Sequence, residues 1–262
     1  MHNILTVFRS GGVYSDDYVR NLRRSVKRYL KATHRFIVLT DTVDAAVVRD
    51  GVEYIPLENN WPGHYAKAEI FRPDLGERFG RLFYIDLSCL VVGDISDLAN
   101  YSGPSCVGRD FQYDYPSQYM LNFAAGSLTK IWSEFKQNPE HWMRRGDAMQ
   151  PPFFRDQVLM EIQRPRDLFQ DKYPGQIVSF KKHCKPFVPQ GARVIKFHGE
   201  PRIHNCGGWV QAIWKGGGQP QWESRINHDL SHVHANIEKN GAQNSRWLEP
   251  QPPHKRRLVI AG

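Results

Sequence analysis

The stretch 81–95 constrains the fold more than any other part of the chain. An apolar run at 82–85 leads directly into Asp86, and a second apolar run follows at 90–92. In α/β proteins, buried parallel strands read as continuous apolar runs, and ligands bind beyond the carboxyl ends of the strands. The pattern predicts a buried strand that carries Asp86 to a ligand-binding edge. A carboxylate that only caps the following turn would give the same local pattern.

Apolar runs typical of strands alternate with segments of helical periodicity along much of the chain. We expect strands at 4–8, 36–40, 52–57, 82–85, 90–92, 106–108, 177–180 and 193–197, and helices at 16–30, 65–71, 131–135 and 156–162. Strands separated by helices favour parallel pairing through crossover connections. The sequence therefore predicts an α/β fold, with a mainly parallel mixed sheet and helices on both of its faces.

The chain of 262 residues is long enough for one large α/β domain with an extension. The segment 215–220 is rich in glycine, and the residues after it are polar. We therefore predict a main domain at 1–214 and a polar C-terminal extension at 215–262. The basic and then apolar residues at 255–262 predict either a terminal edge strand or the first strand of a further domain.

The net charge of +8 raises the question of a nucleic-acid partner. Much of this charge lies in the helix predicted at 16–30, where basic residues alternate with an apolar stripe of helical spacing. A solvated basic face is the simpler interpretation, and peripheral contact with an anionic membrane or a phosphorylated acceptor is the alternative. The sequence contains no nucleic-acid-binding motif, so we predict no nucleic-acid partner.

The sequence also indicates where the protein works. No apolar run approaches the ~20 residues of a membrane span, and the N-terminus lacks the layout of a signal peptide. The four cysteines have neither metal-binding nor redox spacing; they are Cys89, Cys106, Cys184 and Cys206. These features predict reduced thiols and a cytoplasmic location.

The segment Tyr84-Ile85-Asp86-Leu87-Ser88, followed by an apolar stretch and Gly93-Asp94-Ile95, resembles a motif of nucleotide-sugar glycosyltransferases. Family 8 of these enzymes and its bacterial and phage relatives typically read Tyr-Leu-Asp-x-Asp, then an apolar stretch, Gly and Asp-Leu. The resemblance extends over roughly 4–205. It implies the Rossmann-like A-type glycosyltransferase fold. It also implies transfer of a hexosyl unit from a nucleotide-diphosphate sugar, expected to be a UDP-sugar, to a glycan, lipid or protein acceptor, with retention at the anomeric carbon.

The resemblance implies a divalent metal, Mn²⁺ or Mg²⁺, held by Asp86, Ser88 and His198. Ser88 stands where the family has the second aspartate of Asp-x-Asp, and its hydroxyl contributes no charge. Three outcomes stay open: a weaker metal site, loss of metal dependence, or a non-catalytic module that binds nucleotide sugar. Without the resemblance, His198 would be an ordinary hydrogen-bonded residue at a strand end.

Five further residues match positions at which the family binds the donor nucleotide. Tyr14 would stack on the base, and Arg9 lies in the same loop after the first strand. Lys67 would contact the donor from the helix before the metal motif. Gly199 and Arg202 follow His198; Arg202 would touch the phosphates, and Lys196 could also reach them. From the residues alone, a loop tyrosine packs more often than it stacks, and Lys67 would be a surface lysine.

The sugar itself would meet Asp110, Asp156 and Gln157, which we assign to the catalytic set by the same resemblance. Asp156 and Gln157 open the helix predicted at 156–162, where an aspartate is equally a plain N-cap. The asparagine-containing segment that the family places before them matches 121–128 only loosely, because alanine stands at the expected asparagine.

Overall fold

The computed structural model describes residues 1–148, 155–185, 187–220 and 222. They belong to one compact unit, Met1–Glu223. Most of the extension predicted at 215–262, including the strand expected at its end, lies outside the described residues. The division into a main domain and an extension therefore stays a prediction.

The described strands form two sheets. They are β1 (His2–Phe8), β2 (His34–Thr40), β3 (Val47–Arg49), β4 (Val52–Pro56), β5 (Arg81–Ile85), β6 (Cys89–Val91), β7 (Ser105–Arg109), β8 (Pro116–Ala124), β9 (Asp167–Leu168), β10 (Ile177–Ser179) and β11 (Val194–Lys196). The larger sheet has the order β3-β4-β2-β1-β5-β8-β7-β9, and the smaller has the order β10-β11-β6. Strands β4, β2, β1 and β5 run parallel, whereas β8 is antiparallel to both β5 and β7.

Helices connect most of these strands. They are α1 (Asp16–Tyr29), α2 (Pro73–Phe79), α3 (Ser96–Ala99), α4 (Thr129–Gln137), α5 (Pro139–Ala148), α6 (Leu159–Ile162), α7 (Phe169–Lys172), α8 (Phe180–His183) and α9 (Gly208–Trp214). Three 3-10 helices occupy Gly63–Phe71, Arg155–Val158 and Ile203–Asn205.

The central strands β1, β2, β5 and β8 of the larger sheet are largely buried on both faces, which explains the long apolar runs of β1, β2 and β5. Side chains alternate along a strand, so neighbouring residues enter different cores. Ile4 of β1 packs in a core with Leu22 of α1, whereas Leu5 packs in a second core with Ile70 of the 3-10 helix Gly63–Phe71. The predicted fold class, a mixed α/β sheet with helices on both faces, is confirmed.

Some elements differ from the sequence predictions. The helix expected at 65–71 is a longer 3-10 helix, and the helix expected at 156–162 is a 3-10 turn followed by the short α6. Strand β8 was not predicted, because Gln118 and Asn122 interrupt its apolar pattern. Both side chains are buried in the structure, where they donate hydrogen bonds to backbone carbonyl groups.

Helix α1 carries the basic residues noted in the sequence. Its Val19, Leu22 and Val26 are buried, whereas Arg24 and Lys27 are exposed, as a solvated basic face requires. In the described part of the chain, no helix is both long enough and apolar enough to cross a membrane.

Parallel pairing brings the carboxyl ends of β1, β2 and β5 to one edge of the larger sheet. Ser10, just after β1, donates two hydrogen bonds of 2.8 Å to the carboxylate of Asp41, just after β2. Asp86 follows β5 directly. The loops that carry Tyr14 and Asp86 therefore leave the sheet at the same edge.

Candidate functional site

Asp86 is buried at the end of β5, with 4% of its surface exposed. The Tyr84 hydroxyl donates to Asp86 Oδ2 at 3.0 Å, and the Ser88 amide donates to Oδ1 at 2.9 Å. The Ser88 hydroxyl also donates to Oδ1. A buried carboxylate needs such donors, because an unpaired buried charge is costly. Asp86 therefore belongs to a polar network that includes Tyr84 and Ser88. A carboxylate that only caps a turn would not need these side-chain donors.

Lys67 links Asp86 to Asp156. Its Nζ atom lies 2.8 Å from Asp86 Oδ2 and 3.0 Å from Asp156 Oδ2, although Lys67 and Asp156 are 89 residues apart in sequence. Burial alone lowers the pKa of Lys67, but the attraction of Asp156 and Asp86 outweighs burial and holds that pKa well above its usual value. Lys67 is therefore a partly buried cation between two carboxylates, whereas the sequence alone suggested a helix-surface lysine.

Lys196 approaches the same carboxylate from the smaller sheet. Antiparallel pairing of β11 with β6 sets Lys196 opposite Cys89, close to Asp86. Its Nζ atom donates to the Ser88 hydroxyl, lies 3.6 Å from Asp86 Oδ1 and stands 5.2 Å from the centroid of the Tyr119 ring. Burial tends to raise the pKa of Asp86, but Lys67 and Lys196 hold it well below its usual value. Two ammonium groups thus neutralise Asp86.

A cavity of about 210 Å³ adjoins this cluster. Its walls bring together the predicted residues Asp110, Gln157 and His198 with Lys196 and Tyr119. Gln157 Nε2 donates to the Ser117 hydroxyl at 3.3 Å, and its buried Oε1 accepts no hydrogen bond from the described residues. A buried amide oxygen without a donor suits a ligand hydroxyl. The cavity therefore provides polar groups of the kind that a sugar would require.

His198 does not contact the carboxylate of Asp86. Its Nε2 atom pairs with the buried Ser179 hydroxyl at 2.8 Å. Burial lowers the pKa of His198, and the nearby Lys181 and Lys196 lower it further, so the neutral imidazole is favoured. His198 does line the cavity, as Lys196 does.

The residues around Asp86 do not fit a divalent cation. Its described charged neighbours are the two lysines, and Ser88 supplies a hydroxyl where a second carboxylate would stand. Across the described ranges, no group of three or more His, Cys, Asp or Glu side chains could hold a metal ion. The assignment of Asp86, Ser88 and His198 as ligands of Mn²⁺ or Mg²⁺ stays a prediction from resemblance.

Tyr14 lies near Asp86 and Arg202. Its pKa is raised by burial and next by the charge of Asp86, whereas Lys67 and the nearby Ser88 side chain lower it. The Arg202 guanidinium stands 5.9 Å from the Tyr14 ring centroid and also pairs with Glu200 at 3.1 Å. An aromatic ring and a guanidinium group are therefore adjacent at this edge of the site.

Three other predicted residues have more local roles. Arg9 donates to Asn60 and lies 3.8 Å from Asp41, so its described partners lie outside the Asp86 cluster. Gly199 has a φ of +62°, a conformation that suits glycine just after His198. Asp110 Oδ1 accepts amide hydrogen bonds from Gln112 and Tyr113, which fixes the loop along the cavity.

Sequence reasoning missed Tyr84, Gln118 and Tyr119 as site residues. The period-2 alternation of a strand could have found Tyr84, since it faces the same side as Asp86 two residues later. Gln118 supports the site by donating to the Asp156 carbonyl oxygen from β8. No local signal marks Gln118 or Tyr119, because β8 was not recognised as a strand.

Comparison with known proteins identifies the fold. No protein-family model and no curated protein sequence matches the chain. The glycosyltransferase GlyE of Streptococcus pneumoniae TIGR4 matches with a TM-score of 0.55 at 12% identity, over 92% of this chain and 64% of GlyE. The galactosyltransferase LgtC, in complex with donor and acceptor sugar analogs, matches with a TM-score of 0.55 at 14% identity, over 88% of this chain and 99% of LgtC.

This chain has the A-type glycosyltransferase fold. An LgtC variant with an active-site glutamine changed to glutamate also matches, with a TM-score of 0.53 at 11% identity, over 81% of this chain and 94% of LgtC. The chain spans about 64% of the length of GlyE. At identities this low, the similarity shows a shared fold only. The roles of individual residues must be argued from the geometry of this site. Membership of family 8 stays a prediction.

Proposed function

We propose that this protein is a glycosyltransferase that moves a hexosyl unit from a nucleotide-diphosphate sugar to an acceptor hydroxyl. The donor expected from the sequence resemblance is a UDP-sugar, and the expected stereochemical outcome is retention. The acceptor is a glycan, a lipid or a protein. Solved relatives of the same fold are glycosyltransferases, and one of them, LgtC, was solved with donor and acceptor sugar analogs.

One observation carries the proposal: residues assigned to metal binding, donor binding and catalysis from separate motifs form one connected cluster beside a cavity. Lys67 bridges Asp86 and Asp156. Lys196 joins Asp86 to the cavity that Asp110, Gln157 and His198 line. Ligands of open α/β folds bind at the carboxyl ends of parallel strands, and this cluster lies at that edge.

The arrangement supports a division of roles among these residues. Tyr14 offers its ring to the nucleotide base, and Arg202 beside it offers charge to the phosphates. The cavity would hold the sugar, with Asp110 and Gln157 as hydrogen-bonding groups. Asp156 precedes the cavity residue Gln157, its carboxylate pairs with Lys67, and its carbonyl oxygen accepts a hydrogen bond from Gln118.

The proposed reaction replaces one bond at the anomeric carbon of the sugar by another. The bond between that carbon and the diphosphate oxygen breaks, and its electron pair stays on the diphosphate. The acceptor oxygen bonds to the anomeric carbon, and the acceptor proton is released along with the nucleoside diphosphate. Fixed positive groups near the leaving diphosphate would stabilise the charge that grows there.

The cellular location is part of the same proposal. All four cysteines are buried and unpaired, which agrees with the reducing cytoplasm expected from their spacing. Peripheral contact with an anionic membrane through the basic face of α1 stays a secondary suggestion.

The test is a panel of nucleotide sugars offered to the full chain, with release of nucleoside diphosphate and mass spectrometry of added glycans as readouts. An Asp156→Asn variant should keep nucleotide binding but lose turnover, because we assign Asp156 to the sugar and it precedes Gln157, which lines the proposed sugar cavity. Glu77→Gln is the matched control, since Glu77 is an exposed carboxylate on α2. It should behave like the wild type.

The panel also separates the proposal from its main rival, a non-catalytic nucleotide-sugar-binding module. Ser88 in place of a second carboxylate motivates that rival. Binding of a nucleotide sugar without hydrolysis or transfer to any acceptor would support the module. Failure to bind any nucleotide or nucleotide sugar would contradict both. Binding to DNA or RNA that weakens steeply with salt would instead support the nucleic-acid alternative.

A further inference from the structure

The Ser88 position has a cation beside it. Where the resembled motif has a second carboxylate, this chain has a hydroxyl, and that hydroxyl accepts a hydrogen bond from the ammonium group of Lys196. The same ammonium group lies 3.6 Å from Asp86 Oδ1. Loss of one negative charge is thus accompanied by a positive charge at the same place.

Charge balance at the cluster leaves little attraction for a divalent ion. Two carboxylates, Asp86 and Asp156, face two ammonium groups, Lys67 and Lys196, so the four side chains carry no net charge. Like charges within a few ångströms repel strongly in a partly buried site. A divalent cation at Asp86 would therefore have to displace a lysine from its partners.

Lys196 is also placed to act on a ligand. Its side chain is 15% exposed, and it lines the cavity together with Gln157 and His198. An ammonium group has three donors, and Lys196 uses one of them in its hydrogen bond to the Ser88 hydroxyl. Packing over the Tyr119 ring holds the group at the border between the Asp86 cluster and the cavity.

We propose that this site binds the diphosphate of its donor without a divalent cation, and that the ammonium group of Lys196 supplies the positive charge that a metal would otherwise provide. Because Lys67 pairs with both Asp86 and Asp156, the ammonium group of Lys196 can donate a hydrogen bond to the phosphates. Arg202, next to Tyr14, adds a second positive group on the nucleotide side. This inference rests on the proposed function, because it assigns the cation for the same donor.

The experiment is calorimetric titration of uridine diphosphate into the full chain, once with chelator and once with Mn²⁺. Guanosine and adenosine diphosphates are titrated in the same way. We expect at least one nucleotide to bind in chelator with an affinity within about threefold of that in Mn²⁺. Lys196→Met should weaken this binding about tenfold or more, since a charge-assisted hydrogen bond is lost. Lys130→Met is the matched control, because Lys130 is an exposed lysine on α4.

Two further measurements test the positive charge of Lys196 and the binding of Mn²⁺ separately. Lys196→Arg retains the positive charge and should recover part of the binding, which a merely structural role of Lys196 would not predict. Electron paramagnetic resonance of Mn²⁺ should show no binding of the ion by the protein alone. Circular dichroism checks that each variant folds.

The outcomes separate this inference from the function on which it rests. Nucleotide binding that requires Mn²⁺, or Mn²⁺ binding by the protein alone, would overturn the role of Lys196 and leave the glycosyltransferase proposal standing. Equal binding by Lys196→Met and the wild type would also overturn that role. Absence of binding by every nucleotide in both conditions would overturn the proposed function itself.

Discussion

The ammonium group of Lys67 lies 2.8 Å from Asp86 Oδ2, and this contact joins a 3-10 helix on one face of the sheet to the end of β5. Both side chains are largely buried, with 16% of Lys67 and 6% of Asp86 exposed. Because Lys67 also pairs with Asp156, the position of the proposed sugar-facing carboxylate depends on the same lysine. Stability and binding should therefore change together when this contact is altered.

Lys67→Met should destabilise the protein at pH 7 by about 3 kcal/mol, because it leaves two partly buried carboxylates without their shared cation. Lys130→Met, on an exposed position of α4, should cost less than about 0.5 kcal/mol. Urea denaturation of both variants and the wild type measures these differences.

The loss of stability in Lys67→Met should depend on pH. In the wild type the pKa of Asp86 lies below its usual 3.8, so the pairing stabilises the protein above that pH and is lost as the pH falls through the lowered pKa. Without Lys67, the pKa of Asp86 should rise. The difference in stability between wild type and variant should therefore shrink as the pH falls below about 4, where the wild type loses this pairing. A difference that stays constant with pH would indicate lost packing.

A paired exchange should move the site towards metal dependence. Ser88→Asp combined with Lys196→Met adds a carboxylate beside Asp86 and removes the competing ammonium group. We expect Mn²⁺ to strengthen nucleoside diphosphate binding by the double variant about tenfold or more. In the single variant Ser88→Asp, Mn²⁺ should strengthen this binding much less, since Lys196 would pair with the new carboxylate. Calorimetry with and without chelator distinguishes the two variants, and an equal gain in both would contradict the assignment of Lys196.

Tyr14→Ala should weaken binding of the nucleotide by about tenfold, because stacking of a base on an aromatic side chain contributes roughly 1–3 kcal/mol. Tyr14→Phe keeps the ring and loses only the hydroxyl, which lies near Ser88. It should bind within about threefold of the wild type. Titration of uridine diphosphate and of inorganic diphosphate measures the effect. A similar loss for both ligands would assign Tyr14 to the phosphates rather than to the base.

Gln157→Ala should lower turnover of the nucleotide sugar by about tenfold or more and leave binding of the nucleoside diphosphate nearly unchanged. The reason is that Gln157 lines the cavity with an amide oxygen that has no donor among the described residues. Gln137→Ala, at the exposed end of α4, is the matched control. Steady-state kinetics together with calorimetry measures both quantities. Loss of nucleotide binding in Gln157→Ala would place this residue against the diphosphate instead.

Much of the fold could be predicted from local pattern. The apolar runs of β1, β2 and β5, the amphipathic stripe of α1 and the aspartate after β5 all depend on residues close together in sequence. Strand β8 was missed because buried polar residues interrupt its pattern. Gln118 and Asn122 find hydrogen-bond partners that only the folded chain provides.

The candidate site divides in the same way. The sequence determined that Asp86 ends a buried strand and that Ser88 follows it without a second carboxylate, because both facts are local. Only the tertiary structure decided which charges surround Asp86. Lys196 reaches Ser88 across 108 residues through the pairing of β11 with β6, and Asp156 meets Lys67 across 89 residues. Periodicity specifies the faces of each element, whereas packing of distant elements sets the electrostatic environment of a buried carboxylate.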